Sequence, residues 1–170
     1  MLIIFNSFDK YYTMFRKMRR QGQMLSEDEC IEILKNEPRG VLALLGDYDY
    51  PYALPMSHVY VDGKIYFHGA MTGHKNDAVE SHDKASYCVM DNGVRNEEDD
   101  WSYIFKSVIV FGRITTLSDD DEKIEKLTYL GDKFFPTHEE TINEIKKLLH
   151  RTEVFELSIE HISGKIVKEK

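Results

Sequence analysis

Lys64-Ile65-Tyr66-Phe67-His68-Gly69-Ala70-Met71-Thr72-Gly73-His74-Lys75 changes within a few residues from a strand pattern to the start of a helix. Asp62-Gly63 just ahead of it predicts a tight hairpin, because both central positions of a type I′ turn need positive φ and these two residues tolerate it. Lys64 to Ala70 is then the returning strand. Alternation puts Ile65, Phe67 and Gly69 on one face and Tyr66, His68 and Ala70 on the other. Thr72 is the expected N-cap of a short helix that continues through Asn76-Asp77-Ala78-Val79-Glu80. A strand that gives way to fresh helical N–H groups gathers unpaired donors and the positive end of a dipole at one point. Lys75, in the first helical turn, is repelled by that dipole unless something negative lies between them, and a phosphate monoester answers this need. The same residues also read as an ordinary surface helix start with a solvated lysine.

Upstream, Ser26-Glu27-Asp28-Glu29 is a capping box opening a helix through Cys30, Ile31, Ile33 and Leu34, which Pro38 and Gly40 stop. Val41-Leu42-Ala43-Leu44-Leu45 is a continuous apolar run, the pattern of a strand buried on both faces. After a turn at Asp47-Tyr48-Asp49, a strand from Pro51 to Val61 carries Pro51 and Pro55. Proline donates no ladder hydrogen bond, so this strand belongs at an edge, at a bulge, or where a ligand replaces a partner strand; a planar heterocycle could then bond to the backbone of Pro55 to Ser57.

Downstream, Lys84 to Met90 reads as a strand with Cys88 in the core, and Asp91 to Asp100 as an acidic loop closed by Trp101 and Tyr103. Aromatic residues there can lid a flat ligand or pack across an interface. Tyr103 to Thr116 gives a long strand in which Gly112 marks a bend or bulge. Ser118 with Asp119, Asp120 and Asp121 starts a helix carrying Ile124, Leu127 and Leu130, and Thr137 with Glu140 starts another carrying Ile142, Ile145, Leu148 and Leu149. Phe155, Leu157 and Ile159 alternate as a last strand before a turn at Ser163-Gly164-Lys165 and a short tail. About six strands, short connections at Asp47 to Tyr50 and Asp62-Gly63, and helices near the ends predict an antiparallel, closed or nearly closed β-barrel with flanking helices rather than a doubly wound parallel sheet.

The 170 residues fit one domain, and a net charge of −8 argues against nucleic acid or an anionic membrane as the main partner. The basic run Arg16-Lys17-Met18-Arg19-Arg20 is local. Two cysteines, Cys30 and Cys88, give neither a disulfide framework nor a metal-ligand spacing, which points to a reducing cytoplasm. Leu2-Ile3-Ile4-Phe5 is too short to span a membrane. His58, His68, His74 and His82 cluster in sequence, but alternation and the turn point them apart and no acidic ligand accompanies them, so no metal site is expected. Without a nucleophile elbow, a Walker motif or GxGxxG, chemistry falls to a bound cofactor.

Met14-Phe15-Arg16-Lys17-Met18-Arg19-Arg20, Gly40-Val41-Leu42-Ala43-Leu44, Tyr50-Pro51-Tyr52-Ala53-Leu54-Pro55, Gly63 to Ala70 with Gly73-His74-Lys75, and Ser107-Val108-Ile109-Val110-Phe111-Gly112-Arg113 resemble the nitroimidazole-resistance flavoproteins. These are members of the pyridoxamine 5′-phosphate oxidase-like split β-barrels. The resemblance runs from Met14 to about Gly164 and leaves residues 1–13 as an extension to a 14–170 domain. It implies an FMN-binding homodimer with the flavin between subunits. Pro55, Met56 and Ser57 would meet the isoalloxazine; His68, Ala70, Gly73, His74 and Lys75 would follow the ribityl-phosphate; Trp101, Ser107 and Val108 would approach from the partner. The implied activity is an FMN-dependent oxidoreductase reducing a small aromatic or nitro compound as electron acceptor; a histidine, His74 or His68, can orient the acceptor or supply a proton, while the alternative that both only bind phosphate or fill the barrel mouth is favoured for His68 and stays open for His74. Glu160-His161-Ile162-Ser163-Gly164-Lys165 stands where the arginine-rich substrate segment of a true pyridoxamine phosphate oxidase is expected, which argues against vitamin B6 oxidation. Two alternatives stay open: a haem-binding or haem-handling barrel, and a non-catalytic flavin sensor.

Overall fold

The computed structural model describes residues 15–97 and 102–168. In chain order these form α1 (Glu27–Asn36), β1 (Arg39–Leu45), β2 (Pro51–Ser57), β3 (Val59–Val61), β4 (Lys64–Ala70), α2 (His74–Ser81), β5 (Lys84–Met90), β6 (Val94–Arg95), β7 (Tyr103–Thr116), α3 (Asp120–Phe134), α4 (His138–Leu148) and β8 (Thr152–Lys168). The eight strands make one antiparallel sheet in the order β2-β1-β5-β7-β8-β4-β3, with β6 paired to β7. Asp62 and Gly63 take φ of 50° and 80°, so the predicted hairpin joins β3 to β4 as expected. The sheet curls into a split barrel around Leu42, Leu44, Ile65, Phe67, Tyr87, Val89, Val108, Val110, Phe155 and Leu157, with α1 and α2 adding Leu34 and Val79.

The proline-bearing stretch is two strands rather than one. It breaks at His58, and β2 and β3 become the two ends of the sheet order. The edge placement predicted from the prolines holds, β2 and β3 each having one strand partner among the described residues, and the split of the barrel is the gap in pairing between these two ends. His58 is fully buried at the corner. Its Nε2 donates to Leu34 O at 2.7 Å, so Nδ1 is the acceptor that faces the Tyr87 hydroxyl at 2.9 Å. The single Tyr87 hydroxyl proton is shared between His58 Nδ1 and Met56 O, each 2.9 Å from the oxygen, and Lys133 of α3 donates to Glu37 O at 2.6 Å and His58 O at 3.2 Å. Four segments are thereby tied together at the seam.

Several expectations need correction. The strand at Val41 to Leu45 buries only Leu42 and Leu44, while Val41 and Leu45 stay exposed. Cys88 is exposed rather than in the core. The last strand does not turn at Ser163: β8 continues through Ser163 and Gly164, paired with Ile109 and Val108. A glycine at 164 serves packing, because a Cβ there would lie 2.5 Å from Cys30 Sγ of α1. The cap of α3 is Asp119 rather than Ser118, its carboxylate accepting from Glu122 N at 2.9 Å. Gly112 does mark the predicted bulge, where the register between β7 and β8 shifts.

Outside the barrel, α3 and α4 cover β4 and β8. Glu156 of β8 is nearly buried between them and accepts from Lys64 at 2.7 Å, Tyr66 at 3.0 Å and Ser158 at 3.1 Å. Burial alone would raise its pKa; these donors outweigh it and hold the carboxyl below its ordinary value. Among the described residues no helix is long and apolar enough to cross a membrane.

Candidate functional site

The turn from β4 into α2 is built on Gly73, which has φ 125° and ψ 173° and is the N-cap in place of the expected Thr72. This region of backbone space belongs to glycine, and nothing lies within 4 Å of where a Cβ would stand. Gly73→Ala is therefore expected to cost about 1–3 kcal/mol through backbone conformation alone, read as a lower urea midpoint with an unchanged slope. Gly73 O accepts from Asn76 N at 2.8 Å and Asp77 N at 3.2 Å. A glycine cap has no side chain to return a bond, so the N–H groups of His74 and Lys75 point out of the helix with no acceptor among the described residues.

Lys75 folds back over β4. Its ammonium lies 4.5 Å from the centre of the Phe155 ring and so close to Gly69 that a Cβ there would overlap Nζ. It is half-buried, and no carboxylate among the described residues pairs with it. Burial holds its pKa below the usual lysine value. Lys75 and the leading N–H groups of α2 thus belong to the same strand-to-helix turn, the combination from which the sequence led us to expect an anion.

His74 stacks on Tyr52 of β2, ring centres 4.1 Å apart, and its Nε2 meets Asp47 N–H at 3.4 Å. In that neutral tautomer the proton sits on Nδ1; when protonated, the ring faces the Asp47 carboxylate at 3.8 Å. Tyr52 and Asp47 escaped the sequence reading, although the alternation of Pro51 to Ser57 already put Tyr52 and Met56 on one face. Along β2, Met56 lies four residues beyond Tyr52, roughly 13 Å at strand rise. Pro55 and Ser57 lie on the same edge strand, whose far side has no partner among the described residues. Pro55 is exposed, whereas the Met56 side chain packs on the core.

The remaining residues are spread more widely. Ala70 ends β4, its carbonyl accepting from Asn76 Nδ2 at 3.2 Å. His68 faces the helical layer; burial first and the nearby Lys75 charge second hold its pKa below the usual histidine value. Ser107 lies on the outer face of β7, and the Val108 side chain is wholly inside the barrel. Trp101 and the extension 1–13 lie outside the described residues. His58 is a structural residue at the seam.

The outer face of the sheet carries a second feature. Val41, Cys88 and Ile109 form one cross-strand row, and Ala43, Ser86 and Phe111 the next. Val41 is 43%, Met90 58%, Ile109 40% and Phe111 40% exposed, a contiguous apolar patch of the kind that marks an interaction surface.

Comparison with known proteins places this geometry. No curated protein matches the sequence. Among solved structures, a proposed 5-nitroimidazole antibiotic resistance protein from Bacteroides thetaiotaomicron is 14% identical, with 85% of this chain and 87% of that one covered and a TM-score of 0.71. An FAD-binding protein from Mesorhizobium loti is 26% identical over 85% and 97% of the two chains, TM-score 0.62. An FAD and heme binding protein from Mycobacterium smegmatis is 24% identical over 85% and 72%, TM-score 0.68. The family model for pyridoxamine 5′-phosphate oxidase matches residues 26–166, a span that takes in the split, the β4–α2 turn and all of α3 and α4; the chain belongs to that family.

Proposed function

We propose that this protein binds flavin mononucleotide and is an oxidoreductase that reduces a small aromatic or nitro compound. The observation that carries the reading is Lys75: a half-buried ammonium without a carboxylate partner among the described residues, on the first turn of a helix whose leading N–H groups find no acceptor among them either. One cation and one helix N-terminus match a single phosphate, which favours the mononucleotide over a dinucleotide. The free edge of β2 from Pro55 to Ser57 offers backbone groups to the ring system, and Tyr52 with His74 walls the stretch between. The solved relatives named for FAD support a flavin in general.

When bound, the flavin supplies the electron transfer. The chain's own residues hold and orient: Lys75 neutralises the phosphate, and Gly69, lacking a side chain, leaves room for its ammonium. His74 is anchored by Tyr52 and Asp47, so a proton on its ring is held at a fixed place beside the edge strand.

The purified protein is expected to absorb at flavin wavelengths and to release FMN on denaturation, identified by mass. Release of FAD overturns the mononucleotide assignment; a Soret band without flavin favours the haem reading, consistent with the heme named for the Mycobacterium smegmatis relative. After anaerobic reduction, a nitroimidazole should reoxidise the protein-bound flavin faster than a protein-free control, and equal rates reject the enzymatic proposal in favour of a flavin-binding sensor.

The exposed patch on β1, β5 and β7 fits a second copy of this chain, which would bring its own Ser107 edge to the first copy's split. Phe111→Glu places a charge at the centre of the patch, and light scattering should then report a monomer where the parent protein is a dimer. A parent that is itself monomeric removes the interface from the proposal.

A further inference from the structure

Behind β4, away from the split, the α3–α4 pair borders a recess of about 180 Å³. Its walls are almost wholly apolar: Leu127, Leu130, Phe135, Ile145, Leu148 and Leu149. The helices touch where Gly131 meets Thr141, since a Cβ on Gly131 would collide with the threonine methyl, and this contact bounds the recess. Of α4 only Thr141 is fully buried; Ile145, Leu148 and Leu149 stay half-buried, Ile145 and Leu149 packing on one side against Leu127 and Val154. Such incompletely packed aliphatic walls forfeit dispersion contacts that an inserted molecule would restore.

The polar groups around the recess are nearly all spoken for. Thr152 donates to Leu148 O at 2.9 Å, Thr141 to Thr137 O at 3.5 Å, and Glu144 pairs with Lys147 at 3.8 Å. His68 lines the same recess, and its ring has no hydrogen-bond partner among the described residues. A cavity of roughly 150 Å³ lined by such side chains is enough to admit benzene, and this recess is open to solvent on the side of His68 and Phe135, which gives a ligand its way in. We infer that the recess between β4 and the α3–α4 pair is a binding site for a compact, uncharged aromatic molecule of one ring, carrying one polar atom that hydrogen-bonds to His68.

This site is separate from the β4–α2 anion turn and does not depend on a flavin being bound. The recess is too small for a peptide segment, and its three walls come from one chain.

The test uses the full-length protein with phenol and benzene as probes, followed by calorimetry and by chemical-shift changes of the Ile145 and Leu149 methyl groups. Phenol is expected to bind saturably and about 5-fold or more tighter than benzene, the ratio expected for one net hydrogen bond. His68→Phe should bring phenol to the level of benzene. Leu148→Trp, which fills the recess from α4, should abolish binding of both probes while the released flavin and the far-ultraviolet spectrum stay unchanged; Ile145→Phe serves if that variant does not fold. Absence of saturable binding overturns the inference, as does binding that survives both filling substitutions. A crystal structure with the recess filled by a side chain of a neighbouring copy also overturns it. Loss of flavin from the parent protein, with phenol binding intact, would reject the proposed function and leave this site standing.

Discussion

Lys75→Met is expected to weaken FMN binding by about 1–3 kcal/mol, or roughly 5- to 150-fold in Kd, the range for losing one charge-assisted hydrogen bond. Methionine keeps the apolar stem that lies over Phe155 and removes only the charge. An ammonium that is half-buried without a carboxylate is a cost to the unliganded protein, so the apo variant should melt no lower than the parent. The combination, weaker binding without lost stability, distinguishes a ligand-binding lysine from a structural one. Gly69→Ala offers an independent probe of the same point. The added methyl would displace Nζ, so affinity should fall although the lysine is retained. Fluorescence titration measures both variants, and unchanged affinity in Lys75→Met rejects the anion site.

Acid should unfold the protein through His58. Burial, followed by the charge of Lys133, lowers the His58 pKa from 6.5 to about 4. The unfolded chain therefore takes up a proton between pH 6.5 and about 4 that the folded chain refuses, and stability falls as pH drops through that window. Above pH 6.5 the contribution is fully present; across the window up to about 3 kcal/mol is lost. Urea titrations at pH 7 and pH 5 should show the loss, and His58→Phe should flatten the difference between them even if it lowers stability at both. An equal pH dependence in parent and variant would remove His58 as the cause. A charged His58 would press its proton toward Tyr87 in a dry corner, so the seam between β2 and β3 should be the first part to open.

Much of the architecture was legible because local signals were strong. Asp62-Gly63, the capping box at Ser26 and the period-2 pattern in Lys84–Met90 and Tyr103–Thr116 each fix an element from nearby residues alone. The errors share another origin: they concern residues whose neighbours are distant in sequence. Gly164 looks like a turn residue, but it is glycine because Cys30 of α1 sits against the strand there. The break at His58 depends on Leu34 and Tyr87, which no alternation rule brings to that corner. Val41 looked buried on both faces because an apolar residue on the exposed face of a sheet carries the same sequence pattern as one in a core. At the site, Lys75 and Gly73 were legible as a strand-to-helix turn. Gly69 and Phe155, which hold the ammonium, were not, since the pairing of β4 with β8 spans most of the chain.

The position of β8 also bears on how the protein comes to be made. β8 lies between β7 and β4, pairing with both, yet it is made after every other described strand, separated from β7 by two helices. Until it emerges, β7 and β4 each expose an open row of backbone donors and acceptors, the template for aggregation between nascent chains. Synthesis that stalls after α4 should therefore yield a species dependent on chaperones, and release of β8 should be the event that converts two half-sheets into a barrel.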